Sequence, residues 1–251
     1  MVLAVIPARY ASTRFPGKPL ADLCGQTMIE RVWRGAIASR AVDRVIVATE
    51  DERVVAECER IGAESCMTSP ELPSGTDRCH AVLAVKGLSP EIIINIQGDE
   101  PLLHADVLTD LVAAMRSTAA DVATPITRLT EVRELDDAGV VKVARRTDGT
   151  ALYFSRSPIP HVRGVDKSEW LNGQEYWKHI GIYAFRRDAL ERHVQLPTSD
   201  LERSEFLEQL RLLQDGATFA CVETTHSFIA VDTPEDAERV RLALQQQPDR
   251  P

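Results

Sequence analysis

The chain opens with Val2-Leu3-Ala4-Val5-Ile6-Pro7 and continues Ala8-Arg9-Tyr10-Ala11-Ser12-Thr13-Arg14-Phe15-Pro16-Gly17-Lys18-Pro19. An unbroken apolar run stopped by proline is the pattern of a strand buried on both faces, which belongs to a parallel sheet covered by helices. The loop after it holds three cations and two hydroxyls, with no acid between Pro7 and Ala21. A polyphosphate needs positive charge, backbone donors and small residues that permit close approach, and this loop supplies all three. It matches neither G-x-G-x-x-G nor G-x-x-x-x-G-K-[ST], so dinucleotide and P-loop readings lose their main support. A merely solvated basic loop is the alternative, weakened because ligands of such sheets bind beyond the carboxyl ends of the strands.

Outward from that stretch, strands and helices alternate for about 125 residues. Strands are expected near 44–49, 65–68, 91–96 and 121–126, and helices near 27–39, 51–61, 76–86 and 106–115. The rhythm then changes. Residues 140–145, 151–155 and 180–185 look like strands, and 157–177, with two prolines and two glycines, is a long irregular excursion of the kind that carries function or an interface. Helices are expected again at 187–193 and 202–213, strands at 218–222 and 228–231, and a last helix at 234–245 with proline in its first turn. Gln245-Gln246-Gln247 and the residues after them read as a tail. The fold class is therefore α/β, a mostly parallel sheet flanked by helices, in one domain over 1–251 with an insertion at about 155–180.

Composition sets limits on function. Acidic residues number 38 against 29 basic, a net charge of −9, which argues against a nucleic-acid binder needing a broad basic face. Apolar runs are far shorter than the ~20 residues of a membrane span, and the N-terminus lacks a basic leader, so a cytoplasmic protein without membrane insertion is expected. Five cysteines without a C-x-x-C pair read as free thiols in a reducing compartment.

Three strand-end loops could carry chemistry. In Gln97-Gly98-Asp99-Glu100-Pro101, a carboxylate beside a glycine suits Mg²⁺, a hard cation preferring oxygen ligands; it also suits a simple turn cap. In Val231-Asp232-Thr233-Pro234-Glu235-Asp236, Asp232 is either a second metal ligand or the N-cap of the last helix. Ser74-Gly75-Thr76-Asp77-Arg78 sits at a strand-to-helix turn and reads equally as a base or sugar contact or as helix capping. His179 has no zinc-type spacing, nor do the other histidines, and no G-x-S-x-G elbow is present.

Taken in order, the opening loop, Ser74–Arg78, Gln97–Pro101, Ala151–Arg156, His179–Tyr183, Leu207–Arg211 and Val231–Asp236 resemble the 3-deoxy-manno-octulosonate cytidylyltransferases. The opening loop alone resembles the wider group that activates acidic sugars with CTP. The resemblance implies a Rossmann-like nucleotide-diphospho-sugar transferase fold. It also implies transfer of CMP from CTP to the sugar acid with release of pyrophosphate, Mg²⁺ as cofactor, and a homodimer to which the 155–180 excursion contributes. Arg9, Arg14 and Lys18 fall on the family's triphosphate positions, and Asp99 and Asp232 on its metal positions. Ala8, Gly75 and Arg78 fall near the cytosine, while Gln97, Arg156, His179, Tyr183, Glu208 and Gln209 fall on the sugar-acid side. Arg9, Lys18, Asp99 and Asp232 are the expected catalytic set. A relative using 8-amino-3-deoxy-manno-octulosonate or another acidic sugar, and a non-catalytic nucleotide-binding relative, are the competing readings.

Overall fold

The computed structural model describes residues 1–11 and 14–246. Ser12 and Thr13, the two hydroxyls of the basic loop, and the tail from Gln247 lie outside them. By its contacts the chain divides into two compact units, Met1–Val112 with the segment from Ser227 onward, and Ala113–His226.

In the first unit β1 (Val2–Pro7) lies between β2 (Arg44–Thr49) and β4 (Ile92–Asn95), with β3 (Glu64–Met67) beyond β2. All pairs are parallel, and Val5 stands opposite Ile46 on one side and Asn95 on the other. Val2 through Ile6 are wholly buried, as are Ile92 to Ile94, which is why both segments are continuous apolar runs instead of alternating ones. The crossovers carry α1 (Met28–Ile37), α2 (Glu52–Ile61) and α3 (Gly75–Lys86). Each begins at an oxygen-bearing side chain that accepts from the first turn: Thr27 from Glu30 N–H, Asp51 from Arg53 N–H, and Ser74 from Asp77 N–H. The strand order reverses at β1, with β2 and β3 to one side and β4 to the other. That reversal separates the loops after β1 and β4 and opens a crevice at their carboxyl ends.

The C-terminal segment returns to this unit. Helix α10 (Pro234–Gln246) packs Ala237, Val240 and Leu244 with Val231, Leu23, Met28 and Leu102 in one buried cluster. The strand expected at 228–231 does not form: the described backbone there is irregular, and Val231 N–H donates to Asp99 O at 2.9 Å, tying the segment to the loop after β4. Helix α4 (Ala105–Ser117) follows that loop.

The second unit is built on β5 (Val122–Arg128), which pairs in parallel with β10 (Phe219–Glu223) and antiparallel with β8 (Trp177–His179) and β9 (Tyr183–Arg186). Strand β6 (Lys142–Arg145) pairs antiparallel with β8 and with β7 (Ala151–Ser155). The strand expected at 180–185 begins only at Tyr183, as β9, and β8 precedes it as a separate short strand, with the chain turning between them through Ile182 N–H on Ile180 O at 2.7 Å. After the short helices α5 (Arg133–Asp136) and α6 (Trp170–Gly173) and the helix α7 (Arg187–Gln195), the helix expected at 202–213 is broken into α8 (Asp200–Glu205) and α9 (Gln209–Gln214). Phe206 between them takes the left-handed conformation, φ 52°, which no continuous helix accommodates. Its neighbour Glu205, the last residue of α8, accepts at its carboxylate from Ser155 Oγ at 2.6 Å and Arg156 N–H at 2.9 Å. Part of the 157–177 excursion is anchored by Trp170 stacked on Tyr176, in a small core with Leu129, Leu135 and Val140.

Helix α1 touches the loop that leads from Asp99 into α4 at a position only glycine satisfies. A Cβ on Gly35 would sit 2.7 Å from Leu103 O. Gly35→Ala gains about 1 kcal/mol of helix propensity but forces apart backbone atoms, an overpacking cost of about 1–3 kcal/mol. The expected outcome in urea denaturation is a net loss of about 1 kcal/mol; a stabilised variant would show that no such close approach exists.

Candidate active site

Beyond the carboxyl ends of β1 and β4 the first unit has a cleft of about 340 Å³, lined by Pro7, Ala8, Arg9, Ala11, Arg14, Lys18, Pro19, Gly75, Arg78, Gln97, Gly98, Asp99 and Asp232. Every nucleotide-side and metal-side residue expected from the sequence is therefore in one place. The walls approach closely because of glycine. A Cβ on Gly98 would lie 2.6 Å from Pro7 O, so only glycine lets the loops after β1 and β4 come together.

At the floor of the cleft Lys18 Nζ lies 2.7 Å from Asp99 Oδ2 and 3.5 Å from Asp232 Oδ1. Arg14 Nη2 donates to the same Asp232 oxygen at 3.0 Å from the solvent side. Asp232 is not the helix cap. Thr233 and Asp236 perform that task reciprocally, Thr233 Oγ1 accepting from Asp236 N–H and Asp236 Oδ2 accepting from the Thr233 and Asp232 amides. The Asp232 carboxylate is thereby released to face the cations. Like charges at 99 and 232 are held together by the lysine between them. Among the described residues no group of three or more His, Cys, Asp or Glu side chains is poised for a metal. Two carboxylates meeting beside the cations of the loop after β1 nevertheless fit Mg²⁺, which is usually held by one or two carboxylates with substrate phosphates and water filling the remaining positions.

Arg78 is fully buried. Its Nη1 donates to Thr68 Oγ1 at 2.5 Å and lies 3.1 Å from Glu50 Oε2, an ion pair without a well-aligned hydrogen bond. Nε and Nη2 have no partner among the described residues, although the residue lines the cleft. Burial pulls its pKa below the ordinary guanidinium value, and Glu50 opposes that shift. Buried donors with no protein acceptor are free to meet a ligand or an ordered water, and they stand at the wall of this cleft. Thr76 instead bonds to the buried Asn95, and Ser74 caps α3. Arg9 reaches the carbonyl of Leu72 through Nη2. Glu50, absent from the expected set, joins these parts; its only signal in the sequence is its place just after β2.

Of the six sugar-side candidates, Gln97 lines this cleft and the other five lie in the second unit. There His179 is buried at the end of β8, with Phe154 edge-on at 4.9 Å and Tyr183 at 5.3 Å between ring centroids. Thr124 Oγ1 stands 2.9 Å from His179 Nε2 and 2.8 Å from Ile182 O. A hydroxyl has one proton, and the carbonyl takes it, so the Thr124 oxygen accepts from Nε2–H and leaves Nδ1 as the lone-pair nitrogen. Tyr183 is buried with its phenol held protonated, by burial first and by the charge of Glu208 second. Gln209 is buried with Nε2 unpartnered among the described residues, and Glu208 Oε2 lies 3.8 Å from His193 Nε2, a histidine the sequence did not single out. Arg156 donates to the carbonyls of Glu205 (2.6 Å), Ala138 (2.7 Å) and Phe206 (3.2 Å), which orient the guanidinium.

Comparison with known proteins places the chain among relatives of similar length and fold. The cytidylyltransferase family model matches residues 3–223. A 3-deoxy-manno-octulosonate cytidylyltransferase of Porphyromonas gingivalis is 43% identical over 98% of this chain and 97% of its own. The protein of the same name from Chlorobaculum tepidum is 45% identical over 94% of each. Among solved structures, a CMP:2-keto-3-deoxy-manno-octonic acid synthetase complexed with CTP superposes with a TM-score of 0.90, at 40% identity over 98% of this chain and 99% of that one. With a cleft of this construction and similarity running nearly end to end, the chain belongs to the cytidylyltransferase family.

Proposed function

We propose that the protein transfers CMP from CTP to 3-deoxy-D-manno-octulosonate, releasing pyrophosphate and forming the CMP-activated sugar acid used in lipopolysaccharide synthesis. The observation that carries this reading is the floor of the cleft, where Lys18 meets both Asp99 and Asp232 beside the unfilled donors of buried Arg78. The similarity to proteins bearing that activity in their names supports the choice of sugar.

The chemistry asks little covalent work of the protein. The anomeric hydroxyl of the sugar attacks the α-phosphorus, a new P–O bond forms, and the bond to the β-phosphate breaks with its electron pair leaving on pyrophosphate. The hydroxyl proton passes to solvent. Both substrates are anions, so their repulsion has to be offset and the pair aligned. Arg9, Arg14 and Lys18 face the triphosphate and stabilise charge gathering on the departing pyrophosphate. Asp99 and Asp232 are the residues that would hold Mg²⁺, which would supply neutralisation of phosphate charge and acidification of the attacking hydroxyl. Ala8, Gly75 and Arg78 receive the cytosine, and Gln97, Arg156, His179, Tyr183, Glu208 and Gln209 the sugar acid. A homodimer using the 155–180 excursion and a cytoplasmic location complete the proposal; among the described residues no helix is long and apolar enough to cross a membrane.

Purified protein supplied with CTP, Mg²⁺ and the sugar acid should release pyrophosphate in step with sugar consumption. Asp99→Asn and Asp232→Asn should each lower kcat about 10²–10³-fold with circular dichroism unchanged. A wild-type rate in either variant removes that residue from the site, and no pyrophosphate from the folded parent refutes the function.

His179 acts here as a neutral hydrogen-bonding group. Burial pulls its pKa from 6.5 down to about 3. The folded state therefore stays unprotonated at Nδ1 where the unfolded chain takes up a proton below about 6.5. Stability contributed by this group is complete above pH 6.5 and is lost as pH falls from there toward 3, at up to about 1.4 kcal/mol per pH unit. Urea titrations at pH 7, 6 and 5 should give a shallower decline for His179→Gln than for the parent; parallel declines would mean that the imidazole is not held neutral.

A further inference from the structure

Glu50 stands where two halves of the nucleotide cleft meet. One oxygen, Oε1, accepts the Tyr10 amide at 3.0 Å, and the other, Oε2, lies 3.1 Å from Arg78 Nη1. Tyr10 begins the turn of the phosphate loop: its carbonyl accepts from Gly17 N–H at 3.1 Å, and Gly17, at φ 73°, leads directly into Lys18. The Tyr10 ring is covered on one face by the Arg53 guanidinium, 3.4 Å from its centroid, and its hydroxyl lies against the Gly17 backbone, 3.1 Å from where a Cβ would be. An unbroken path of short contacts therefore runs from Arg78 through Glu50, Tyr10 and Gly17 to Lys18. The guanidinium at one end is fully buried and, among the described residues, its charge is matched by Glu50 alone, since Thr68 supplies only a neutral oxygen. A planar guanidinium with one edge pinned presents its remaining N–H groups in a fixed direction.

We infer that Glu50 is a positioning residue that couples recognition of the nucleobase by Arg78 to the placement of the phosphate loop and Lys18. The inference rests on the reading of Arg78 as the residue that meets the cytosine. Through Oε2 the carboxylate fixes which donors Arg78 offers, and so sets the preference for an acceptor at N3, which cytosine has and uracil lacks. Through Oε1 it fixes the loop that grips the phosphates. A nucleotide engaging both ends then meets one preassembled unit instead of ordering two independent ones.

Steady-state kinetics and calorimetric binding with CTP and UTP, using the full chain, separate the two oxygens. In Glu50→Gln the amide oxygen still accepts from Tyr10 but the charge facing Arg78 is gone. The ratio of CTP to UTP affinity should fall roughly tenfold, while KM for the sugar acid stays within about twofold. Glu50→Asp keeps the charge and shortens the reach. It should retain the CTP preference and weaken CTP and pyrophosphate binding, a split that general loss of stability would not produce. Folded Glu50→Gln with the parental CTP to UTP ratio overturns the inference. Should that variant fail to fold, Glu50→Asp decides, and parental affinities for CTP and pyrophosphate in it overturn the coupling. Absence of turnover in the parent refutes the proposed reaction, whereas the calorimetric comparison still tests Glu50.

Discussion

One ammonium group between two carboxylates organises the cleft. Residues 99 and 232 are far apart in the chain, and their negative charges repel; Lys18 makes their approach favourable, with contacts of 2.7 and 3.5 Å. The arrangement suits a site whose ligand is itself charged. In the proposed reaction a triphosphate would compete for the lysine, and Asp99 and Asp232 would then be the groups to hold a hard divalent cation. The same side chain can then serve two electrostatic roles without any large movement of the backbone. Its surroundings favour this: the Lys18 side chain is only 15% exposed, while Asp232 at 45% is open to solvent and to Arg14.

Holding that trio requires backbone precision, and the structure obtains it by close contact instead of by large buried area. Gly98 lets the loop after β4 touch the end of β1, Val231 N–H hooks the C-terminal segment to Asp99 O, and the Thr233–Asp236 cap frees Asp232 for the cleft. The apolar cluster of α10 with Leu23, Met28 and Leu102 then fixes the segment that bears Asp232. Each is a local requirement that a different residue would violate, and each acts on the position of a charged group a few ångströms away.

How much of this could be seen in the sequence depended on the range of the interaction. The buried strands were legible because residues 2–6 and 92–94 are apolar without interruption, and α1 to α3 because Thr27, Asp51 and Ser74 stand where caps belong. The basic loop announced itself by charge. What escaped were features set by partners distant in the chain. The break between α8 and α9 falls at the left-handed Phe206, next to a Glu205 carboxylate bound by Ser155 and Arg156, and the irregular course before Asp232 carries a bond to Asp99; neither leaves a local pattern. Asp232 reads in the sequence as either cap or ligand, and only the folded chain has Thr233 and Asp236 doing the capping. Glu50 was missed for the same reason: an acid after a strand looks ordinary until Arg78 and the Tyr10 amide are found on its two oxygens.

The second unit adds a contrast in charge. At His179 itself the neighbouring rings are uncharged, an imidazole kept unprotonated and the Tyr183 phenol kept protonated, with the Glu208 carboxylate acting on the phenol. Such a lining recognises hydroxyls by direction and cannot offset a carboxylate. Arg156 can. Its three donated bonds go to backbone carbonyls, which orient the guanidinium without cancelling its charge, and two of its five N–H groups remain. Carbonyl dipoles thus do for Arg156 what Thr68 does for Arg78, spending part of a fixed donor fork on the protein so that the rest points one way. If the sugar acid is the acceptor, its carboxylate and its hydroxyls are sorted by this division: a preoriented cation for the former, and uncharged buried donors and acceptors for the latter. In that reading the Arg156 cation meets the carboxylate of the sugar acid and the buried polar groups meet its hydroxyls.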